Sequence, residues 1–405
     1  MTSTQRHRLF ILITLGLLSA IGPFSIDMYL PGFDAIADSL DTTVSHIQLS
    51  LTSFFIGIAS GQIIYGPLLD RFGRKIPLIV GLVIYIAASI SCMLTNSADY
   101  LIAYRFVQAL GSCGGMVASR AMVRDFYGPR ESAKIFSLLM LVIGISPIVA
   151  PTVGSFVISR WDWHGIFLVL AIITTCILLA VIFFLPESRG SNPAISLMPR
   201  PIAQSYWQVF KTRQFFTYAF AGGLASSGLY AYLAGSPYIM ITLYGLSEKQ
   251  YGLVFALIAS ALITASQLNR YLLNRYSSEK VAKVALMVQS SLGLLLAILC
   301  VAGTINLLVM IALIFLFLGS QGFVFPNTSA LALAPFSRLA GSASALLGGL
   351  QMACGALSSG LVSYFHNETT VPMAATMAGC ACLSLFILLA GSRLPAGTRP
   401  DQSHR

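Results

Sequence analysis

Long apolar runs recur along this chain from end to end, separated by short polar breaks. A bilayer core takes about 20 apolar residues per helical span. The 405 residues are 56% hydrophobic and only 9% charged, whereas about 25% of an ordinary soluble protein is charged. The sequence therefore predicts an all-α integral membrane protein and excludes an ordinary soluble enzyme. Hydropathy predicts twelve transmembrane helices, which begin near Leu9, Val44, Ile76, Tyr100, Ala133, Gly165, Phe215, Gly252, Val281, Asn306, Ala340 and Pro372.

Basic residues fall almost entirely on one side of this arrangement. Of the 24 Lys and Arg residues, only Arg160 and Lys249 lie on the opposite side, and Arg105 falls inside a span. Because basic loops stay in the cytoplasm, the pattern predicts a multi-pass protein of a bacterial-type inner membrane with both termini cytoplasmic. The topology of the chain in the lipid bilayer then accounts for the net charge of +10, and no nucleic-acid partner is needed to explain it.

The longest polar break runs from Glu187 to Arg213 and separates six spans from six. An internal repeat relates the six spans before this break to the six after it, because Leu68–Phe72 after the second span matches Leu272–Tyr276 after the eighth. Such a repeat predicts two parallel six-helix halves with a substrate route between them. We therefore divide the chain into an N-terminal half, a cytoplasmic linker, a C-terminal half and a cytoplasmic tail, at residues 1–190, 191–213, 214–394 and 395–405.

An acid lies within the first apolar span, at Asp27 between Pro23 and Pro31. Desolvation makes the ionised form of a buried carboxylate costly, so Asp27 is a candidate proton-coupling residue. The alternative is that Asp27 lies near enough to the outer end of its helix to be solvated, or that it caps a helix end.

A base lies early in the fourth span, at Arg105. A guanidinium keeps its charge when buried, so it must face a cavity, a carbonyl group or a counter-ion. We interpret Arg105 as a second proton-coupling residue, and its position makes proximity to Asp27 plausible. The alternative is that its side chain reaches out to the nearby membrane interface.

The loop after the second span combines glycines with charges of both signs. The glycines allow a tight turn, and the charges can pair across neighbouring helix ends. A role in setting topology explains the basic residues but not the spacing of the glycines and the acid. The residues concerned are Gly66, Asp70, Arg71, Gly73, Arg74 and Lys75.

This loop resembles the second loop of the major facilitator superfamily, whose pattern G-x-L-x-D-R-x-G-R-K is matched at every position. Arg105, Gln108 and Gly111 match the fourth-span motif of its drug:proton antiporters. Three further segments resemble the bicyclomycin and chloramphenicol resistance subfamily, namely Ser25–Pro31, Ala234–Tyr238 and Ala340–Ala345.

The fifth span departs from the antiporter pattern, which has G-P near its middle and G-G after it. This chain has Ser146 before the first proline and Ser155 after the last glycine. Two prolines four residues apart lie on one helix face and can still bend the helix, but support for export over import is weaker. The motif positions are Gly144, Pro147, Pro151 and Gly154.

Two arginines near the cytoplasmic end of the fourth span, Arg120 and Arg124, are four residues apart and share one helix face. We expect Asp70 to pair with one of them, or with the start of the eleventh span, when the cytoplasmic side is closed. These residues and the second-loop motif would then form a gate.

A transport cavity needs apolar and aromatic surface with a few polar groups. The candidates are Tyr29, Gln108, Tyr230, Tyr232 and Tyr238. Tyrosines near helix ends can instead anchor a helix at the membrane interface.

No motif for an ATP phosphate loop or a zinc enzyme is present in the sequence, so we expect no metal, no cofactor and no enzyme activity. The resemblance implies a monomeric, proton-coupled multidrug efflux transporter, a drug:H+ antiporter that moves small drug-like solutes by alternating access. The alternative is proton-coupled uptake of a metabolite such as a nucleoside. A membrane enzyme or a lipid-handling protein is a further alternative.

Overall fold

The computed structural model of the protein describes residues 3–127, 129–193, 198–336 and 339–392, which are helical nearly throughout. The predicted all-α fold is confirmed. Two helices are short, α2 (Phe33–Ser39) and α8 (Pro199–Lys211). The helices of 20 or more residues are α1 (Ser3–Asp27), α3 (Val44–Phe72), α4 (Lys75–Leu94), α5 (Ala98–Phe126), α6 (Pro129–Trp161), α7 (His164–Phe184), α9 (Arg213–Pro237), α10 (Glu248–Leu272), α11 (Ser278–Val301), α12 (Leu307–Leu333), α13 (Ala340–Tyr364) and α14 (Val371–Ser392).

Ten helices in the described part of the chain are long and apolar enough to cross a membrane. The two remaining long helices are α6, of which several side chains lie outside the described residues, and α9. The sequence of α9 is rich in Gly, Ala and Ser, and most of its residues are buried among other helices. Each predicted helix start lies near an observed one, so the twelve long helices are those that hydropathy predicts.

The same six helix pairs pack together in each half of the molecule. In the first half α1 packs against α5, α6 and α7, α4 packs against α5 and α7, and α3 packs against α5. In the second half α9 packs against α12, α13 and α14, α11 packs against α12 and α14, and α10 packs against α12. The equivalent packing of the two halves corresponds to the internal repeat of the sequence. The residue boundaries assigned to the halves stay a prediction, and the tail, 395–405, lies outside the described residues.

The two halves contact each other through α3 with α13 and α6 with α10. We name the end of the bundle that carries the Gly66–Lys75 loop the basic face, and the other end the opposite face. Near the opposite face Thr242 donates to Asp34 at 2.8 Å, and Ser45 donates to the carbonyl of Ser363 at 2.6 Å. A cavity of about 580 Å³ lies between the halves at the basic face. The halves are therefore closed at the opposite face and open at the basic face.

Helix α8 lies inside the segment that the sequence predicts as a plain linker. Only Thr212 separates α8 from α9, and the ring of Phe210 packs against Phe216 of α9 with centroids 5.6 Å apart. The hydroxyl of Tyr206 donates to the carbonyl of Ile63 on α3 at 3.1 Å. The connection between the halves is thus a short helix that touches both of them.

Helices α4 and α5 approach each other closely where two glycines meet. A methyl group at Gly111 would lie 2.6 Å from both the carbonyl oxygen of Gly81 and the amide nitrogen of Tyr85. Small residues at such crossings let helix backbones approach in a membrane, where packing rather than the hydrophobic effect drives association. This contact explains the glycine at the third position of the fourth-span motif.

We predict that Gly111→Ala destabilises the protein, because the added methyl group must push two helix backbones apart. Overpacking of this kind costs about 1–3 kcal/mol, so the melting temperature of the purified protein should fall by several degrees. Gly379→Ala is the matched control, since nothing lies within 4 Å of a methyl group at that position of α14. Equal melting temperatures for the two variants would contradict the close crossing.

Candidate functional site

Asp27 is the last residue of α1 and is only 5% exposed. Beyond it the chain makes one 3-10 turn, Leu30–Gly32, and continues into α2. The candidate membrane span Leu9–Ser39 includes this break. Asp27 therefore lies at a helix break within a candidate span, and its burial contradicts the alternative of a solvated position.

Helix α6 supplies the hydrogen-bond partner of Asp27 from within the first half. The hydroxyl of Ser146 donates to the Asp27 carboxylate at 3.4 Å. One face of α6 also contacts the chain directly after Asp27, because Gly154 packs against the backbone of Met28. Ser146 replaces the glycine of the family's fifth-span motif, so the departure noted in the sequence is the residue that contacts the acid. This role of Ser146 was not predicted from the sequence.

All four motif positions of the fifth span lie in α6. Pro147 and Pro151 are inside the helix, where each proline removes one backbone hydrogen bond. Gly144 belongs to the same helix, and Gly154 is the position that lets α6 approach the chain directly after α1. The bearing of this motif on export rather than import stays a prediction.

Two buried tyrosines of the second half lie on helices that contact the chain just after Asp27. The turn Leu30–Gly32 packs against α9, which carries Tyr232, and against α10, which carries Tyr251. The Tyr251 hydroxyl is 3.1 Å from the hydroxyl of Ser236, and the Tyr232 ring stacks on Phe255 with centroids 5.7 Å apart. The chain around Asp27 therefore contacts both halves, the first through Ser146 and the second through the turn that follows.

Arg105 is enclosed in the first half and is fully buried. Its guanidinium donates to Gln108 Oε1 at 2.6 Å and to the carbonyl of Ser25 at 3.0 Å. It also lies 4.2 Å from the ring centroid of Phe54 and 4.5 Å from that of Tyr29. Aromatic faces and carbonyl groups thus stabilise the charge. Arg105 does not pair with Asp27, so the expected proximity of these two charges does not produce an ion pair, and it does not reach the membrane interface.

The partners of Arg105 belong to a polar network between α1, α3, α4 and α5. Gln108 donates to Ser89 at 2.8 Å, and the hydroxyl of Tyr29 lies 2.9 Å from that of Ser50. Because Tyr29 and Gln108 are fully buried in this network, neither lines the cavity at the basic face. Substrate contact by these two residues stays a prediction.

The three tyrosines of the second half that we assigned to the cavity are spread over different places. The ring of Tyr230 lies 4.7 Å from that of Phe55, across the interface of the halves. Tyr238 lies near the opposite face, with its ring 4.6 Å from that of His366. Tyr232 is the buried one of these three, with its ring stacked on Phe255 of α10, and substrate contact by the three tyrosines stays a prediction.

At the basic face, Arg74 is the centre of the charged loop motif. It bonds to Asp70 at 2.7 Å and to Asp125, at the end of α5, at 2.8 Å. Burial alone would lower the pKa of Arg74, but hydrogen bonds and charge from Asp125 and Asp70 outweigh it and raise that pKa above its ordinary value. Arg74 is thus a permanent cation that joins the ends of α3, α4 and α5.

Glu187, beyond the end of α7, caps the beginning of α4. Its carboxylate accepts from the backbone amides of Arg74 at 2.9 Å and Lys75 at 3.0 Å, which is the favourable placement of an acid at a helix N-terminus. Gly73 has φ +82°, and a methyl group there would lie 3.0 Å from the Glu187 carboxylate. This tight turn explains the motif glycine. The role of Glu187 was not predicted from the sequence.

Two other residues of the loop motif make hydrogen bonds that involve backbone carbonyl groups. The carbonyl of Arg71 accepts from the amide of Asn192 at 2.9 Å, and the Lys75 ammonium donates to the carbonyl of Ile182 at 2.9 Å. Gly66 lies inside helix α3 next to Pro67, so its interpretation as a turn residue is wrong. Gly66 lies on the wall of the cavity, where a residue without a side chain leaves more space in the cavity.

The partner of Asp70 in this structure is Arg74, with Arg189 at 3.9 Å. The sequence predicts Arg120 or Arg124 as its partner when the cytoplasmic side is closed. With the halves apart at the basic face, Arg120 and Arg124 instead line the cavity. Pairing in a closed state therefore stays a prediction.

The sequence profile of the Major Facilitator Superfamily matches residues 15–359. The chain belongs to this superfamily. Over 384 residues it is 31% identical to a Haemophilus influenzae protein described as a bicyclomycin resistance protein homolog, covering 94% of this chain and 96% of that one. It is 28% identical over 382 residues to the multidrug resistance protein MdtL of Escherichia coli, covering 94% of each chain.

Among solved structures, the nucleoside transporter NupG matches 95% of this chain and 99% of its own, with a TM-score of 0.73 and 12% identity. This likeness shows the fold alone. The resemblance to drug-resistance members of the superfamily, which the sequence motifs indicate, is confirmed by the relatives named above.

We predict that Arg105→Lys destabilises the protein although the charge is kept. An ammonium cannot lie flat between aromatic rings and donate in two directions, so we expect a loss of about 2 kcal/mol and a lower melting temperature. Arg160→Lys is the control, because Arg160 is exposed. If both variants melt with the wild-type protein, the guanidinium shape has no structural role.

Proposed function

We propose that this protein exports drug-like solutes from the cytoplasm in exchange for protons, by alternating access between its two halves. The observation that carries the proposal is the position of Asp27, a buried acid at a helix break that is followed directly by a turn packed against α9 and α10 of the second half. The drug-resistance names of two full-length relatives support the solute class and the direction.

Proton coupling needs a group that exchanges its proton as the cavity opens to each side in turn. Asp27 has no cation within salt-bridge distance among the described residues, and its hydrogen-bond partner is a neutral serine. A buried carboxylate of this kind is costly while it is charged and therefore tends to bind a proton. The turn Leu30–Gly32 that follows Asp27 packs against α9 and α10 of the second half, so a movement of the halves would act on the chain next to the acid.

The orientation in the membrane is part of the proposal. The basic face would lie in the cytoplasm, with both termini on that side, because positively charged loops are retained there. In this orientation the structure is open to the cytoplasm and closed to the outside, which is the state in which an exporter takes up its solute. We propose that one chain, without an enzyme activity or a cofactor, forms the complete transport unit.

Uptake of a metabolite remains the weaker alternative, since the nucleoside transporter with this fold is only 12% identical. A drug susceptibility panel on cells that overproduce the protein identifies the solute to be tested, with bicyclomycin included because of the relative's name. Everted membrane vesicles with an imposed pH gradient then measure flux of that drug. If the overproduced protein protects cells against none of the drugs, and vesicles show no pH-driven flux in either direction, the export proposal is contradicted.

We predict that Asp27→Asn abolishes pH-driven accumulation of the drug while binding of the drug persists. The amide fills the same space as the carboxyl group but cannot exchange a proton. Accumulation in vesicles should fall at least about tenfold, to the level set by downhill flux.

The matched control is Asp38→Asn, an acid on the exposed side of α2 eleven positions later in the chain. It should transport at the wild-type rate. Wild-type accumulation ratios in Asp27→Asn vesicles would show that Asp27 has a structural role and that the proton travels by another group.

A further inference from the structure

The cavity at the basic face has the size of a drug-binding pocket, at about 580 Å³. Its walls come from α3, α5, α8 and α13, and therefore from both halves and from the helix between them. The charged and polar side chains among its lining residues decide which solutes can enter. Its charged lining residues are Asp70, Arg74, Arg120, Arg124, Asp125 and Arg189.

Both acids in this wall are already bound to a basic residue. Arg74 holds the carboxylates of Asp70 and Asp125 at 2.7 and 2.8 Å, and Arg189 approaches Asp70 to 3.9 Å. Asp125 also accepts from the hydroxyl of Ser188 at 2.9 Å. These carboxylates are therefore not available to neutralise further cations that line the cavity.

Arg120 and Arg124 are the two cations that remain. Within the described part of the chain, no carboxylate lies within 4 Å of either guanidinium. They are one helical turn apart on α5, so each raises the positive potential at the other. Both are exposed to the cavity. Two adjacent like charges without a counter-ion favour binding of an anion between them.

The beginning of α13 adds to the same potential from the other half. The helix starts at Ala340 and no side chain caps its N-terminus, which carries a partial positive charge. Gly341 and the hydroxyl-bearing Ser342 and Ser344 of its first turns line the cavity. Donors for an anionic group therefore lie on the walls that both halves contribute.

We propose that this cavity selects solutes by charge, so that the exported compounds are amphiphiles with a carboxylate or similar anionic group rather than lipophilic cations. The two carboxylates are neutralised within the protein, and Arg120 and Arg124 provide the charge that a solute meets first. The proposal rests on the proposed function, because it takes the cavity to be the access route of the exported solute.

The test measures binding, which does not depend on proton coupling or on the direction of transport. The purified full-length protein is placed in phosphatidylcholine nanodiscs and titrated against three 7-diethylaminocoumarin dyes that differ in one substituent, a carboxylate, a primary amide or a trimethylammonium group. Fluorescence anisotropy gives each dissociation constant. We expect the carboxylate dye to bind about tenfold tighter than the ammonium dye, with a smaller difference at high salt.

In the double variant Arg120→Gln/Arg124→Gln the preference for the carboxylate dye should disappear, and the affinity for the amide dye should stay the same. The control is Lys280→Gln/Lys283→Gln, which removes two positive charges at the beginning of α11, outside the cavity wall. This control should keep the full preference. Equal binding of the carboxylate and ammonium dyes to the wild-type protein would overturn the proposal, as would a preference that survives in the arginine double variant or binding of none of the dyes.

Two further results distinguish this proposal from binding of a lipid headgroup and from the proposed export function. If phosphatidylglycerol in the nanodisc displaces the carboxylate dye from the wild-type protein, the anion recognised is a lipid headgroup, and the proposal of a soluble solute fails. If the carboxylate preference is present but no drug is transported in vesicles, the export function fails while the charge selectivity of the cavity stands.

Discussion

A charge that leaves water for the interior of a helical bundle must be compensated there, and this requirement shapes the structure around each charged side chain. The guanidinium of Arg105 is buried between aromatic rings and donates to a carbonyl and an amide oxygen. That arrangement fixes the positions of α1, α3 and α5 relative to one another, because all three helices supply its partners. Asp27 is the opposite case, since its closest polar partner is a serine. The interior of the first half thus contains a charge that is fixed by its partners, Arg105, and an acid without a charged partner among the described residues, Asp27, to which we assign the proton exchange of the proposed function.

The fold follows from the sequence to a large extent, because hydropathy over about 20 residues is a strong signal. Helix starts, the two halves and the charged loop at the basic face are all visible in the residues. Helix α8 was not predicted, since its 13 residues are too few and too polar to be recognised as a span. Helix α9, in contrast, was predicted as a span. Its small residues reduce its hydropathy, and close packing against α13 and α14 keeps it in the bundle.

The candidate site could be predicted only in part. Motif and burial arguments identify Asp27, Arg105 and Arg74 as residues under constraint, but they do not give the partner of each. Those partners depend on helix rotation, which a sequence read alone does not provide. Arg74 thus binds both Asp70 and Asp125 with the basic face open, whereas the pairing predicted for Asp70 with Arg120, Arg124 or the start of the eleventh span concerns the closed state and stays a prediction. Ser146 was visible as a departure from a family pattern, and its contact with Asp27 required the packing of α6 on α1.

The linker helix α8 is joined to α9 through a single residue and an aromatic contact between Phe210 and Phe216. It also contacts α13, and it contacts α3 through Tyr206. Because α8 contacts both halves and lines the cavity, a change in the angle between the halves would move α8 relative to at least one of them. The shape of the cavity at the basic face therefore depends on the linker as well as on the two sets of helices that it joins.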